Sequence, residues 1–261
     1  AGPNGPCGAM GEHITKPHGI LPAKAIAAYC RDGQIVLERP ADGNQIQPAS
    51  LDLRLGAHAW RVRASFLPGR RFTVAERLKE LALHRVSLAE GAVLETGCVY
   101  IVPLQERLRL PAGVAAAANP KSSTGRLDIF TRVITDHAQE FDKIPEGYAG
   151  PLYAEISPRT FSILVRTGSR LSQIRFRAGA PLASDALIRD LHASEGLISS
   201  GEVNIDQGLA LTVDLNSFAA DGPVGFRAKR HSGLVDVDRK DALEVADYRS
   251  EEHTSELQSR E

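Results

Sequence analysis

No run of apolar residues in this chain is long enough to cross a bilayer, and no signal-peptide pattern opens it. Both absences argue against a membrane or an export route and lead to the expectation of a cytoplasmic protein. An excess of one charge is lacking too: 31 basic residues stand against 32 acidic ones. Proteins that coat nucleic acid or lie on a membrane surface usually carry a strong excess of one sign, so the balance favours a small-molecule partner over either. Cysteine is scarce. Cys7, Cys30 and Cys98 lie far apart, cannot all pair, and read as free thiols of a reducing compartment. None has the spacing of zinc ligands.

What the chain does contain is concentrated between Asn119 and Ile129. Lys121, Ser122, Ser123, Thr124, Gly125 and Arg126 follow one another there, after a strand-like approach of small residues, Val114 to Ala118. Backbone N–H groups freed at a glycine-containing turn, together with serine hydroxyls, donate to phosphate oxygens, and Lys121 and Arg126 would neutralise them. An ordinary polar turn has the same composition. Downstream, Gly147 to Ile156 carries a single carboxylate, Glu155, inside a strand-like segment. Alternation puts Leu152, Ala154 and Ile156 on one face and Tyr153, Glu155 and Ser157 on the other. By pattern alone, Glu155 is a surface residue of a strand.

The remaining segments read mostly as short strands. Leu21 to Cys30 suits a short helix, Gln34 to Leu37 a strand, and Leu51 to Leu55 a strand with one buried face. Asp52 is read as an exposed strand residue, with a subunit-contact network as the alternative. Val74 to Leu83 is helix-like. Val93 to Val102 and Glu106 to Leu110 read as two strands separated by Pro103, and Ile129 to Thr135 as a buried strand. Asp136 to Lys143 is a loop in which His137 and Glu140 are solvated. Phe161 to Val165 and Arg170 to Phe176 supply two further strands. Many short strands with Pro and Gly turns and few helices predict a mainly β protein, a distorted jelly-roll β-barrel.

After Pro181 the pattern starts again. Asp185 to Leu197 reads as a helix running up to a glycine, as Ala23 to Ile35 did, and Leu211 to Leu215 echoes Ala49 to Leu53. The expected organisation is therefore a disordered leader over 1–18, a first domain over 19–180 and a truncated second copy of the fold over 181–248. Arg249 to Ser259 matches what one reading frame of a common sequencing adapter encodes, so 249–261 is expected not to be natural sequence.

Together these stretches resemble the dCTP deaminase branch of the trimeric dUTPase superfamily, over roughly Gly19 to Phe176. Lys121, Ser122, Ser123 and Arg126 match that family's Arg-Ser-Ser-x-x-Arg loop, with Lys in place of the first Arg. Ile144, Gly147, Tyr148 and Gly150 match the turn that follows, Glu155 falls where the family has its catalytic Glu, and Gln173 matches a Gln of the last core strand. Gln47 to Gly56 looks like the family's early strand. Pro145 stands where the turn has an Asp.

The resemblance implies a dUTPase-like fold and hydrolytic deamination of dCTP to dUTP and ammonia. Lys121, Ser122, Ser123 and Arg126 would bind the Mg²⁺-bearing triphosphate. Thr124 and Gly125 would add loop amides, the backbone at Tyr153 and Ala154 would meet the base, and Glu155 would move the protons. Zinc-dependent nucleobase deaminases need His-x-Glu and Pro-Cys-x-x-Cys. The chain has no Cys pair of that kind, so its deamination would be zinc-independent. A homo-oligomer is expected, with no metal ligands of the protein's own. The alternatives are a dUTP diphosphatase or a bifunctional enzyme, with Asp142 replacing the missing turn Asp, and a nucleotide-binding domain without turnover.

Overall fold

The structure is a computed structural model that describes residues 18–179, 183–199, 201–212 and 222–253. Most of the expected leader, the Val213 to Leu215 part of the repeated pattern and the last eight positions lie outside the described residues.

In chain order, β1 (Gly19–Ile20) leads into α1 (Ala23–Arg31), β2 (Ile35–Leu37), β3 (Ile46–Gln47) and β4 (Ser50–Leu53). β5 (His58–Val62) is followed by α2 (Val74–Leu81), β6 (Ala82–Ser87), β7 (Ala92–Leu94) and β8 (Val99–Arg109). Next come β9 (Val114–Pro120), the short helix α3 (Ser122–Arg126), β10 (Ile129–Thr135), β11 (Lys143–Ile144) and β12 (Ala149–Pro158). β13 (Ile163–Val165) and β14 (Ser172–Ala178) precede α4 (Asp185–Glu195), β15 (Gly225–Ala228), β16 (Val235–Asp236), α5 (Val245–Tyr248) and β17 (Arg249–Glu252). The mainly β expectation holds.

Two six-stranded sheets carry the core. The first runs β11-β9-β14-β4-β3 with β1 also on β14, and the second runs β10-β12-β8-β5-β6 with β2 also on β8. Their inward faces meet in one apolar cluster that includes Leu51, Leu53, Ala118, Ile174 and Phe176 from the first sheet and Tyr100, Val102, Val133, Ala154 and Ile156 from the second. Among the described residues neither sheet closes on itself, and the two sheets pack face to face. A third, small sheet, β16-β13-β7, joins the C-terminal region to the first.

Local signals explain the helices. Thr73 and Glu76 form a capping box at α2: Glu76 N donates to Thr73 Oγ1 at 3.2 Å, and Thr73 N donates to Glu76 Oε2 at 2.7 Å. Val74 and Leu78, four residues apart, then turn one face of α2 inward. Ser184 caps α4, and Gly196 ends it in the left-handed conformation that glycine adopts without penalty.

Two expectations need correction. Pro103 does not divide two strands: β8 runs through it from Val99 to Arg109. The proline sits opposite Tyr153, next to a register shift in the pairing with β12, and its carbonyl accepts Gly56 N–H at 2.8 Å. A missing N–H is tolerated at such an irregularity of the ladder. Gly56 is required at this crossing, because a Cβ there would lie 2.7 Å from the Pro103 carbonyl oxygen.

The second correction concerns β4, which is buried on both faces rather than one. Asp52 is 2% exposed, not a surface residue, and Arg54 just beyond the strand is 3% exposed. Arg54 donates from its Nε to Glu106 Oε1 and from its backbone N to Glu106 Oε2, both at 2.8 Å, and its remaining N–H groups reach the carbonyls of Arg39 and Pro40. Gln45 Nε2 adds a bond to Glu106 Oε1 at 2.8 Å. Burial pushes the pKa of the Glu106 carboxyl up, against the lowering effect of these bonds and of the guanidinium. Removing one partner of such a pair strands the other charge out of water. Glu106→Ala is therefore expected to destabilise the protein by about 3–5 kcal/mol, read as a fall in the urea midpoint. Arg77→Ala, which removes an exposed pair with Glu80, should cost no more than about 1 kcal/mol.

Candidate functional site

The Lys121 to Arg126 stretch folds as the turn between β9 and β10, with Ser122 to Arg126 forming α3. It is pinned from beneath by one residue. Leu171 O accepts Lys121 N at 2.9 Å and Thr124 Oγ1 at 2.8 Å. Thr124 is thus buried and its hydroxyl committed, while Ser122, Ser123, Gly125 and Arg126 stay exposed. Asp128 closes the turn in the left-handed region and accepts from Thr160.

Lys121, Ser122, Ser123 and Arg126 together line a cavity of about 740 Å³, shared with Gln47, Asp52, Gln173 and residues between Val235 and Val245. Lys121 is ion-paired there with Asp52, and Arg170 Nη1 lies 4.0 Å from the same carboxylate. The buried Asp52 holds the lysine at the head of the loop. Gln173 sits beside the cavity and accepts from Ser50 Oγ at 3.1 Å.

Glu155 does not line this cavity. The alternation along β12 is as expected, but the second face is not open. It packs against a separate apolar cluster of Val62, Val74, Leu78, Ile101, Ile134, Ala138 and Tyr153. Glu155 is 1% exposed on that face. Its Oε1 accepts two N–H groups of Arg132 on β10, from Nη2 at 2.5 Å and Nε at 3.2 Å. Its Oε2 is buried with no hydrogen-bond partner.

Arg132 stands in register with Glu155 and donates from Nη2 to Ser65 Oγ at 2.8 Å. Its guanidinium lies 3.5 Å from the ring centroid of Phe141 and 4.6 Å from that of Phe130. Asp142 Oδ1 accepts Val133 N–H at 2.7 Å, and burial pushes its carboxyl pKa up, with Arg132 lowering it and Glu155 raising it.

The other predicted residues lie as follows. Tyr153 lines a second cavity of about 750 Å³ with Trp60, Leu78 and Arg107. Ala154 is fully buried between Val133 and Val102 of the neighbouring strands, so its N–H and C=O are committed to the sheet. His137 and Glu140 are exposed in the loop before β11. Pro145 accepts Tyr148 N–H through its carbonyl, and the Tyr148 hydroxyl donates to Pro151 O at 2.7 Å. Among the described residues no group of three or more His, Cys, Asp or Glu side chains is disposed to hold a metal ion.

Arg132 was not singled out from the sequence. A lone cation in an apolar strand was a signal, but its partner depends on the pairing of β10 with β12. If Arg132 orients the Glu155 carboxylate, Arg132→Ala should lower any Glu155-dependent turnover by ~10²-fold or more, with the thermal midpoint showing that the fold is kept. Arg132→Lys, which cannot place two N–H groups on one oxygen in the same way, should recover only part. Steady-state kinetics alongside a thermal melt check this.

The chain matches two family models: "2'-deoxycytidine 5'-triphosphate deaminase (DCD) N-terminal domain" over residues 17–180 and the corresponding C-terminal domain over residues 184–259. It is 31% identical over 161 residues to the dCTP deaminase of Halorubrum lacusprofundi, covering 60% of this chain and 76% of that one. It is 27% identical over 162 residues to the dUMP-forming dCTP deaminase of Methanobrevibacter smithii, covering 60% and 79%. The crystal structure of the 2'-deoxycytidine 5'-triphosphate deaminase from Agrobacterium tumefaciens is similar at 56% identity and a TM-score of 0.85, over 90% of this chain and 70% of that one.

Proposed function

Because this chain belongs to the 2'-deoxycytidine 5'-triphosphate deaminase family, we propose that it hydrolyses the 4-amino group of dCTP, giving dUTP and ammonia. The observation that carries the chemistry is the Glu155 carboxylate, gripped by Arg132 through one oxygen while the other is left without a partner. Oε2 takes a proton from water as the water oxygen bonds to C4 of cytosine. The proton then passes to the amino nitrogen as the C4–N bond breaks and ammonia leaves, and the proton of the hydroxyl left on C4 moves to N3 to give the uracil carbonyl. Ser65 and Phe141 hold Arg132 in turn, so they help to fix the direction of the carboxylate.

Lys121, Ser122, Ser123 and Arg126 bind the triphosphate, with Thr124 contributing a backbone amide; the Gly125 N–H, bonded to Lys121 O at 3.0 Å, and the sheet-bonded backbone of Ala154 are not free to do so, which leaves the backbone at Tyr153, opposite Pro103, to face the base. Mg²⁺ arrives as part of the substrate, neutralising phosphate oxygens. No zinc is required of a chain that lacks the Cys ligands of the zinc deaminases. Free thiols at Cys30 and Cys98 and a nucleotide substrate suit a cytoplasmic setting, and no helix among the described residues is long and apolar enough to cross a membrane.

The loop and Glu155 do not share a cavity within one chain. That division favours a homo-oligomer in which one copy offers the loop and another the carboxylate. Relatives named as dUMP-forming, together with Asp142 beside the Arg132–Glu155 pair, favour a second reading, an enzyme that also cleaves pyrophosphate from the product.

Incubation with dCTP should release ammonia without added zinc. Pyrophosphate in the same mixture would mark the bifunctional reading, and neither product would refute both. Glu155→Gln should lower kcat by ~10²–10⁴. Arg126→Ala should instead weaken dCTP binding. Co-refolding these two impaired variants should restore part of the ammonia release, and no restoration would overturn a site shared between copies.

A further inference from the structure

The far wall of the loop cavity comes from residues 235–245, within the C-terminal family match. This wall is built into the first sheets rather than resting on them. β16 pairs in parallel with β13, and Val235 is 3% exposed. Arg166, just after β13, grips both oxygens of Asp236 at 2.8 Å and reaches Asp238 Oδ2 at 3.3 Å. Ser169 Oγ donates to Asp238 Oδ2 at 2.6 Å. Tyr248 packs edge-on against Phe161 at 5.7 Å, and Arg249 donates to the carbonyl of Arg126 in the loop itself.

The charges around the cavity divide unequally once these pairs are removed. Lys121 is held by Asp52, and Asp236 by Arg166. Among the described residues, the side chains of Arg126, Arg239 and Lys240 make no hydrogen bond or ion pair, and Asp241 is the one acid of the lining left without a partner. Three uncommitted cations facing one carboxylate, beside the hydroxyls of Ser122 and Ser123, suit a ligand with several negative charges on one end. The lysine at the head of the loop, tied to a buried aspartate, leaves a deficit that these two residues can fill.

We infer that Arg239 and Lys240 bind the terminal phosphates of the nucleotide, so that the C-terminal region makes the site count phosphates. The inference rests on the reading of the loop as a triphosphate site. Arg126 and the serines hold the phosphate nearest the sugar, and the doublet on the opposite wall holds the far end of the chain. A nucleoside monophosphate does not extend to the doublet and gains nothing from it.

The test is calorimetric binding of tripolyphosphate and of dCMP to the full 261-residue chain. Arg239→Ala combined with Lys240→Ala should weaken tripolyphosphate about tenfold or more and flatten its salt dependence, with dCMP unchanged. Arg239→Lys should keep most of the affinity, and Arg85→Ala, an exposed cation on β6, should bind as the parent does. An unchanged thermal midpoint in the single Lys240→Ala variant, with tripolyphosphate still weakened, separates binding from folding. Equal loss for tripolyphosphate and dCMP, or no loss for either, would overturn the inference. Because tripolyphosphate carries no base, a chain that makes no ammonia from dCTP yet shows the selective loss would refute the deaminase reading and uphold this subsite.

Discussion

The carboxylate of Glu106 and the guanidinium of Arg54 meet out of water where the chain passes from one sheet to the other, and much of the rest is referenced to that point. Arg54 directly follows β4 of the first sheet, Glu106 lies within β8 in the second, and Gln45 ties the preceding turn to both. The arginine also satisfies the carbonyls of Arg39 and Pro40, so an irregular connection keeps its polar groups paired. Two charges with this few alternatives admit one register. With β4 so placed, Asp52 two residues earlier is directed to Lys121, and the head of the loop between β9 and β10 is set from below.

The loop and the catalytic candidate are thus supported by different means. The loop depends on a buried acid and on one carbonyl, Leu171 O, that receives both an amide and a hydroxyl. Glu155 depends on a cross-strand partner, an arginine whose flat face is clasped by two aromatic rings. A guanidinium stacked this way can be dehydrated at low cost and still present its N–H groups in its own plane. Both arrangements place a charge beside an apolar cluster, and each gives up some stability for a fixed direction.

Much of this was legible in the sequence because it is local. The spacing of small residues before Lys121, the Ser-Ser pair and the alternation around Glu155 are short-range patterns, and they locate β9, the turn that follows it and β12, though not the helical form of that turn. What could not be read was pairing between distant segments. Asp52 looked like a surface residue because its partner, Lys121, is brought in only by the sheet order. Arg132 passed as an incidental cation until β10 was set beside β12. Pro103 reads as a break in the sequence because a ladder irregularity that excuses a missing N–H leaves no trace in the strand that contains it. Arg239 and Lys240 form a plain basic doublet in the sequence, and only the parallel pairing of β16 with β13 carries them to the loop.

That pairing also sets a timetable. Arg166 and Asp236 are 70 residues apart, so a chain emerging from the ribosome at about 5–20 residues per second exposes the outer edge of β13 for roughly 4–14 seconds before its partner strand exists. During that interval the strand has β7 on one side and an open row of N–H and C=O groups on the other. The loop can be fully folded by then, yet its cavity lacks a wall. Chains made close together on one message would meet at this stage, before each has closed its own edge.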